Sequence, residues 1–237
     1  MKAILAVSVL LLSSAFFRVP IKKQMRYHSK IVLKIPEPSD ICFSSDSLSL
    51  YIVSDQGSLY QTDLKGNILR KSDVAGTDFE GVHADEEFVY IADESARRVL
   101  KLDNKTLKQV AVYDVPYSGA RNSGIESLTF NQARGTFIMI TEKNPILIFE
   151  LDKDFRKVNL HRFTSARDIS AATYHDGHLW LLSDEDRAVF KLDPYSFDVL
   201  QTIRINIINP EGIAFDRDGQ MVICSDDRRT LYFFSKP

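Results

Sequence analysis

Three glutamates, Glu80, Glu126 and Glu211, occupy matching places in a repeated segment of the chain. A small residue follows each (Gly81, Ser127, Gly212), and then an aliphatic one (Val82, Leu128, Ile213). Carboxylates brought together from separate repeats repel one another and resist ionisation unless positive charge sits among them. The two other repeats carry Ser39 and Ser170 at the same place, so no Lys or Arg supplies that charge. A hard divalent cation would, and Ca²⁺ tolerates a loose set of oxygen ligands better than Mg²⁺ does. Glu80, Glu126 and Glu211 are therefore the expected metal ligands, and calcium the expected cofactor. Glu37, Asp78 and Asp168 lie two residues ahead of the shared position. With Ser39 and Ser170 they are candidate outer ligands, or residues that make the rim acidic.

A second set of acids, Asp55, Asp93, Glu142, Asp184 and Asp226, closes a later strand in each repeat. An acid that turns a strand into a loop is routine, because its carboxylate bonds the following backbone. Glu142 and Asp184 nevertheless stand where a ligand would meet the first set. So do Arg121 and Asn122, in the longest connection between repeats, Tyr117 to Ser123. Metal-assisted hydrolysis would also need a base near a bound water, for which Glu142, Asp184 and His83 are candidates. Other motifs fall away. His175-Asp176-Gly177-His178 and Asp216-Arg217-Asp218-Gly219 read as hairpin turns, the latter without the bidentate Glu of an EF-hand. No nucleophile elbow, zinc-protease helix or phosphate-binding Gly loop is present.

The elements that must position these residues are strands. The lead-ins are Glu37-Pro38-Ser39-Asp40, Asp78-Phe79-Glu80-Gly81, Gly124-Ile125-Glu126-Ser127, Asp168-Ile169-Ser170-Ala171 and Asn209-Pro210-Glu211-Gly212. Each opens an alternating run such as Leu128-Thr129-Phe130, the period of a strand. The shared positions are spaced 41, 46, 44 and 41 residues apart, near the ~40–50-residue period of four-stranded propeller blades. Second, third and fourth strands are readable in the first four repeats, but the fifth stops at Pro237 without its fourth. An unassigned apolar run, Lys30 to Ile35, precedes the first repeat and supplies the missing strand, which would close the ring and remove two edges. The expected fold is all-β: a five-bladed β-propeller whose last blade is completed from the N-terminal side.

Residues 1–17 read as a signal segment: Lys2, an apolar run from Ala3 to Leu12, then the small residues Ser13, Ser14 and Ala15. The run is shorter than the ~20 residues of a spanning helix, which favours cleavage and leaves an uncleaved anchor as the alternative. Residues 18–28 are expected as a linker and 29–237 as the propeller. Export to the periplasm or cell envelope follows, with membrane contact only through the N-terminal segment. Two cysteines, Cys42 and Cys224, lie in apolar strands and read as core thiols; spacing leaves open whether they bridge. With 30 Lys+Arg against 32 Asp+Glu the net charge is −2, and without basic clusters nucleic acid is not an expected partner.

The ordered lead-ins, with Thr141-Glu142-Lys143-Asn144-Pro145 and Leu182-Ser183-Asp184-Glu185, resemble the SdiA-regulated (YjiK-like) family of bacterial envelope proteins, over nearly everything after Tyr27. The resemblance implies a five-bladed propeller, distantly similar to NHL-repeat and esterase-like propellers, with calcium at the residues matching Glu80, Glu126 and Glu211. Asp40, Ser127 and Ala171 depart from it, standing where the family tends to place Gly. The expected function is a calcium-binding envelope propeller that recognises a small molecule or an envelope partner. The alternative is a metal-dependent hydrolase of an ester, lactone or phosphoester.

Overall fold

The computed structural model describes residues 21–115, 117, 119 and 124–237. Its regular elements are all strands. Two short ones come first, β1 (Ile21–Gln24) and β2 (Ser29–Val32). Blade one follows as β3 (Pro38–Phe43), β4 (Ser49–Ser54), β5 (Ser58–Asp63) and β6 (Ile68–Lys71). Blade two is β7 (Phe79–Ala84), β8 (Phe88–Asp93), β9 (Arg98–Asp103) and β10 (Gln109–Asp114). Blade three is β11 (Ile125–Asn131), β12 (Thr136–Thr141), β13 (Ile146–Leu151) and β14 (Lys157–Phe163). Blade four is β15 (Ala171–His175), β16 (His178–Ser183), β17 (Ala188–Leu192) and β18 (Val199–Arg204). The last repeat contributes β19 (Pro210–Phe215), β20 (Met221–Ser225) and β21 (Thr230–Phe234).

Each blade is an antiparallel meander, and β2 pairs with β21 as the fourth strand of blade five. The five-bladed propeller is thus closed by a strand from the N-terminal side, as expected. One expectation needs correction. Residues 18–28 are not simply a linker: β1 runs parallel to β18 as a fifth strand on the outer edge of blade four. Met25, just beyond it, is buried between blades four and five. The segment Ile21-Lys22-Lys23-Gln24 has no alternation to announce a strand; only the open edge of β18 makes it one.

The hydrophobic core is divided among the five seams between blades. Phe79 at the first seam and Trp180 at the fourth illustrate the pattern, Trp180 packing 4.9 Å from Phe215 across the blades. Full burial of one such side chain contributes roughly 1.5–3 kcal/mol. Cys42 and Cys224 are free thiols, and Cys224 is buried at the seam between blades five and one. Where the innermost strands converge, backbones come close. A Cβ on Gly81 would lie 2.7 Å from the Leu128 nitrogen, and one on Gly212 2.8 Å from that of Ile41.

Four of the five innermost strands share one irregularity. Their pairing skips a residue between Pro38 and Asp40, Phe79 and Gly81, Ile125 and Ser127, and Pro210 and Gly212. The residues left out of register are Ser39, Glu80, Glu126 and Glu211. A bulge kinks a strand and re-aims the extra side chain. The repeated position is therefore marked by backbone geometry as well as by residue type.

Candidate metal centre

Glu80, Glu126 and Glu211 begin their strands at one mouth of the central channel and are half-buried. Burial, then the charge of Glu126, pushes the Glu80 carboxyl well above the usual carboxylate range. Glu126 is raised likewise, by burial and then by Glu94, Glu142 and Glu211. Burial, followed by Asp184 and Asp55, pushes Glu211 up to about 8. Carboxylates from different blades therefore do bear on one another across the channel mouth.

The tightest group is narrower than the expected set. Oxygens of Asp78, Glu80 and Glu94 all lie within 4.8 Å of one another. Glu126 and Glu211 stand outside this group. Asp78 lies within hydrogen-bonding reach of both Glu80 and Glu94. Asp78 Oδ2 accepts from the Ser95 hydroxyl at 2.6 Å. Burial, then the nearness of Asp78, pushes Glu94 up to about 7. Glu94 Oε1 accepts from the Gly124 amide at 2.8 Å, and a Cβ on Gly124 would lie 2.0 Å from that oxygen. The carboxylate thus occupies space that only glycine leaves.

Glu94 was not expected; its neighbour Asp93 was. The amides of Asp55, Glu94, Glu142 and Asp226 bond the carbonyls of Glu37, Asp78, Gly124 and Asn209, each two residues before the bulge position. Glu94 is therefore the blade-two member of the second ring. Asp93 corresponds instead to the buried hydroxyl residues Ser54, Thr141, Ser183 and Ser225. It binds Arg98 at 2.9 Å and the Thr77 hydroxyl at 2.7 Å, inside its own blade. The signal was available: a Ser or Thr precedes the acid in every repeat but this one.

Several expected outer ligands have other duties. Ser39 donates to the Phe79 carbonyl, and Ser170 donates to the Pro210 carbonyl at 2.7 Å. Both hydroxyls tie one blade to the next. Asp168 accepts from the Ser183 hydroxyl and from the Asp184 and Glu185 amides, which makes it the organiser of its own turn. Glu37 is exposed on the rim, where its charge helps to raise Asp55 and Asp226. Glu142 is paired with Lys143 at 2.6 Å. Asp184 faces Glu211, and burial raises its carboxyl although Arg187 pulls it down. Of the three candidate bases, His83 is misplaced: its ring stacks among Tyr90, Phe130 and Phe137, towards the opposite end of the blades. Arg121 and Asn122 lie outside the described residues.

A family model for SdiA-regulated proteins matches residues 22–235. The chain belongs to the SdiA-regulated family. Among solved structures, the glutaminyl cyclase of Myxococcus xanthus is similar at 13% identity with a TM-score of 0.74, covering 91% of this chain and 97% of that one. The β-propeller domain of Myceliophteria thermophila Cps50 (Swd1) is similar at 9% identity with a TM-score of 0.56, covering 88% and 100%. At such identities the likeness is one of fold. Within this member of the SdiA-regulated family, the three positions expected to be Gly are accommodated without opening the hub. Asp40 and Ser127 are buried, and Ala171 is 0% exposed.

A cation fits these side chains. Among the described residues, Asp55 Oδ1 is buried without a hydrogen-bond partner. Burial and then Asp226 push its carboxyl up to about 6. Lys143 pairs with Glu142, and Arg187 pulls down Asp184, both in the second ring. Converging carboxylates whose pKa values are raised by burial and by one another are suited to a hard cation.

Proposed function

We propose that this SdiA-regulated propeller is a calcium-binding protein of the bacterial cell envelope, in which the ion completes a recognition site for a small molecule or an envelope partner. The observation that carries the proposal is the approach of Asp78, Glu80 and Glu94 to within 4.8 Å of one another. These three would hold the ion, and Glu126 and Glu211 are the further carboxylates whose charge it would offset. Bound calcium would supply positive charge for an anionic or carbonyl oxygen of the ligand. The protein's own part is to fix the carboxylates: bulges aim Glu80, Glu126 and Glu211, and the Gly124 amide holds Glu94. Placement in the envelope is supported by the signal-like sequence of residues 1–17.

A second reading has its own support. Glu94 at about 7 and Glu211 at about 8 can each hold or release a proton near neutrality, the range that general acid–base catalysis favours. The Myxococcus xanthus neighbour is by its name an enzyme, a glutaminyl cyclase. A propeller of this kind can therefore carry catalysis, and hydrolysis of an ester, lactone or phosphoester is the form proposed here.

Calorimetric titration of the purified protein with CaCl₂ tests the first reading. Binding heat lost in both Glu80→Gln and Glu94→Gln supports it, and no heat in the wild type overturns it. Turnover of esters, lactones or phosphoesters, abolished by EDTA, would replace it with the second.

A further inference from the structure

The seam between blades two and three holds a cleft that the carboxylate site does not use. It lies where β7 and β11 finish, at the other end of the blades from Glu80 and Glu126, and encloses ≈ 360 Å³. Ligand pockets occupy about 300–1,000 Å³ and pair apolar walls with a few placed polar groups. The lining here has that character: His83, Phe88, Tyr90, Phe130, Phe137 and Lys101. The imidazole lies 6.1 Å from Tyr90 and 6.2 Å from Phe130, roughly parallel to both, while Phe137 meets it edge-on at 6.1 Å.

The charged groups of the cleft are unequally engaged. The Asp85 carboxylate is taken up by the amides of Glu87 and Phe88 at 2.8 and 2.7 Å, and by the Tyr90 hydroxyl at 3.2 Å. Lys101, by contrast, forms no ion pair among the described residues. Its ammonium lies 3.6 Å above the Phe88 ring and 5.6 Å from that of Tyr90. Lys153 is a second cation of the lining, and Glu87 the other acid. An ammonium resting on aromatic faces is held in place but lacks a counter-anion. His83 is kept neutral by its burial, so its ring can offer a donor or an acceptor without adding charge.

We propose that this cleft binds a small aromatic carboxylate, its ring slotted beside His83 and Phe130 and its carboxylate meeting Lys101. Aromatic walls select a flat ring because such pairs gain from stacked or edge-on contact. The unpaired ammonium selects the anion, since a charge-assisted bond in a partly desolvated site is strong and directional.

The test is titration of the full chain with phenylacetate, phenethylamine and benzyl alcohol, followed by ligand-observed NMR and calorimetry. Phenylacetate should bind and outcompete the other two. Lys101→Met keeps the packing stem and removes the charge; it should weaken phenylacetate about tenfold or more, the size expected for a lost bond to a charged group. Lys101→Arg should restore most of the affinity. His83→Ala should weaken all three probes together. Equal binding of the amine or the alcohol, an unchanged affinity in Lys101→Met, or no binding of any probe at millimolar concentration would overturn the proposal.

Discussion

The carboxylate of Asp40 in blade one accepts a hydrogen bond from the Val82 amide of blade two at 2.9 Å. Its other oxygen accepts from the Ile41 amide at 2.8 Å, and the Ile213 amide of blade five also stabilises its charge. One buried carboxyl thus joins three innermost strands. Burial raises its pKa against the pull of these amides. Asp40→Ala should cost about 2–5 kcal/mol in urea denaturation, because each buried amide left unpaired costs roughly 1–3 kcal/mol. A loss below about 1 kcal/mol would show that water replaces the carboxylate without penalty.

Calcium should raise the melting temperature. At a free concentration of about 100 Kd a ligand adds about 2.7 kcal/mol, or roughly 5–10 °C for a chain of this size. Differential scanning fluorimetry should show that shift in the wild type and little or none in Glu80→Gln, Glu94→Gln or Asp78→Asn. Asp93→Asn offers the contrast: its partners are Arg98 and Thr77, so it should be destabilised yet keep its response to calcium.

Without a cation, stability should fall as pH rises. Asp55, Glu94 and Glu211 sit at about 6, 7 and 8 in the folded chain, whereas unfolded carboxyls titrate near ~4. Between those limits the folded state holds protons that the unfolded chain has released, so raising the pH favours unfolding. Melting temperatures measured in EDTA should decline from about pH 5 to pH 8, and saturating calcium should flatten the decline. A melting temperature that is constant or rises in EDTA would contradict this account of the carboxylates.

Closure should be indispensable. Removing residues 1–32 takes away β1 and β2 and exposes the edges of β18 and β21. The truncated chain should unfold at lower urea concentration and associate through the open edge, as unpaired strands do. Size-exclusion chromatography read against the full chain would decide it. A monomeric truncation of unchanged stability would mean that neither β1 nor β2 contributes to the ring.

The propeller was legible because its cause is local. Alternation, turn acids and the spacing of the lead-ins are properties of short segments, and five repetitions reinforce one another. That repetition also sets Glu80, Glu126 and Glu211 at matching places, each near the start of an innermost strand. What escaped depended on register and on partners far away in sequence. Asp93 and Glu94 are adjacent acids, and only backbone pairing tells which one continues the ring. Ser39 and Ser170 resemble ligands by position, yet their hydroxyls are occupied by Phe79 and Pro210 of the next blades. His83 belongs to the other end because it lies three residues along β7, a distance that the pattern of residue types does not translate into depth. Asp40 looked like a departure from glycine, and its use became visible only with Val82 beside it.

The short strand β1 also fixes an orientation. Gln24 pairs with Arg204, Arg204 with Ala188 and Ala188 with Ser183, so Gln24 lies toward the carboxylate end of blade four and Ile21 toward the other. β1 therefore begins at the end of blade four opposite the acidic mouth. It thus enters on the same side of the ring as the aromatic cleft, and Glu80 and its companions lie on the far side.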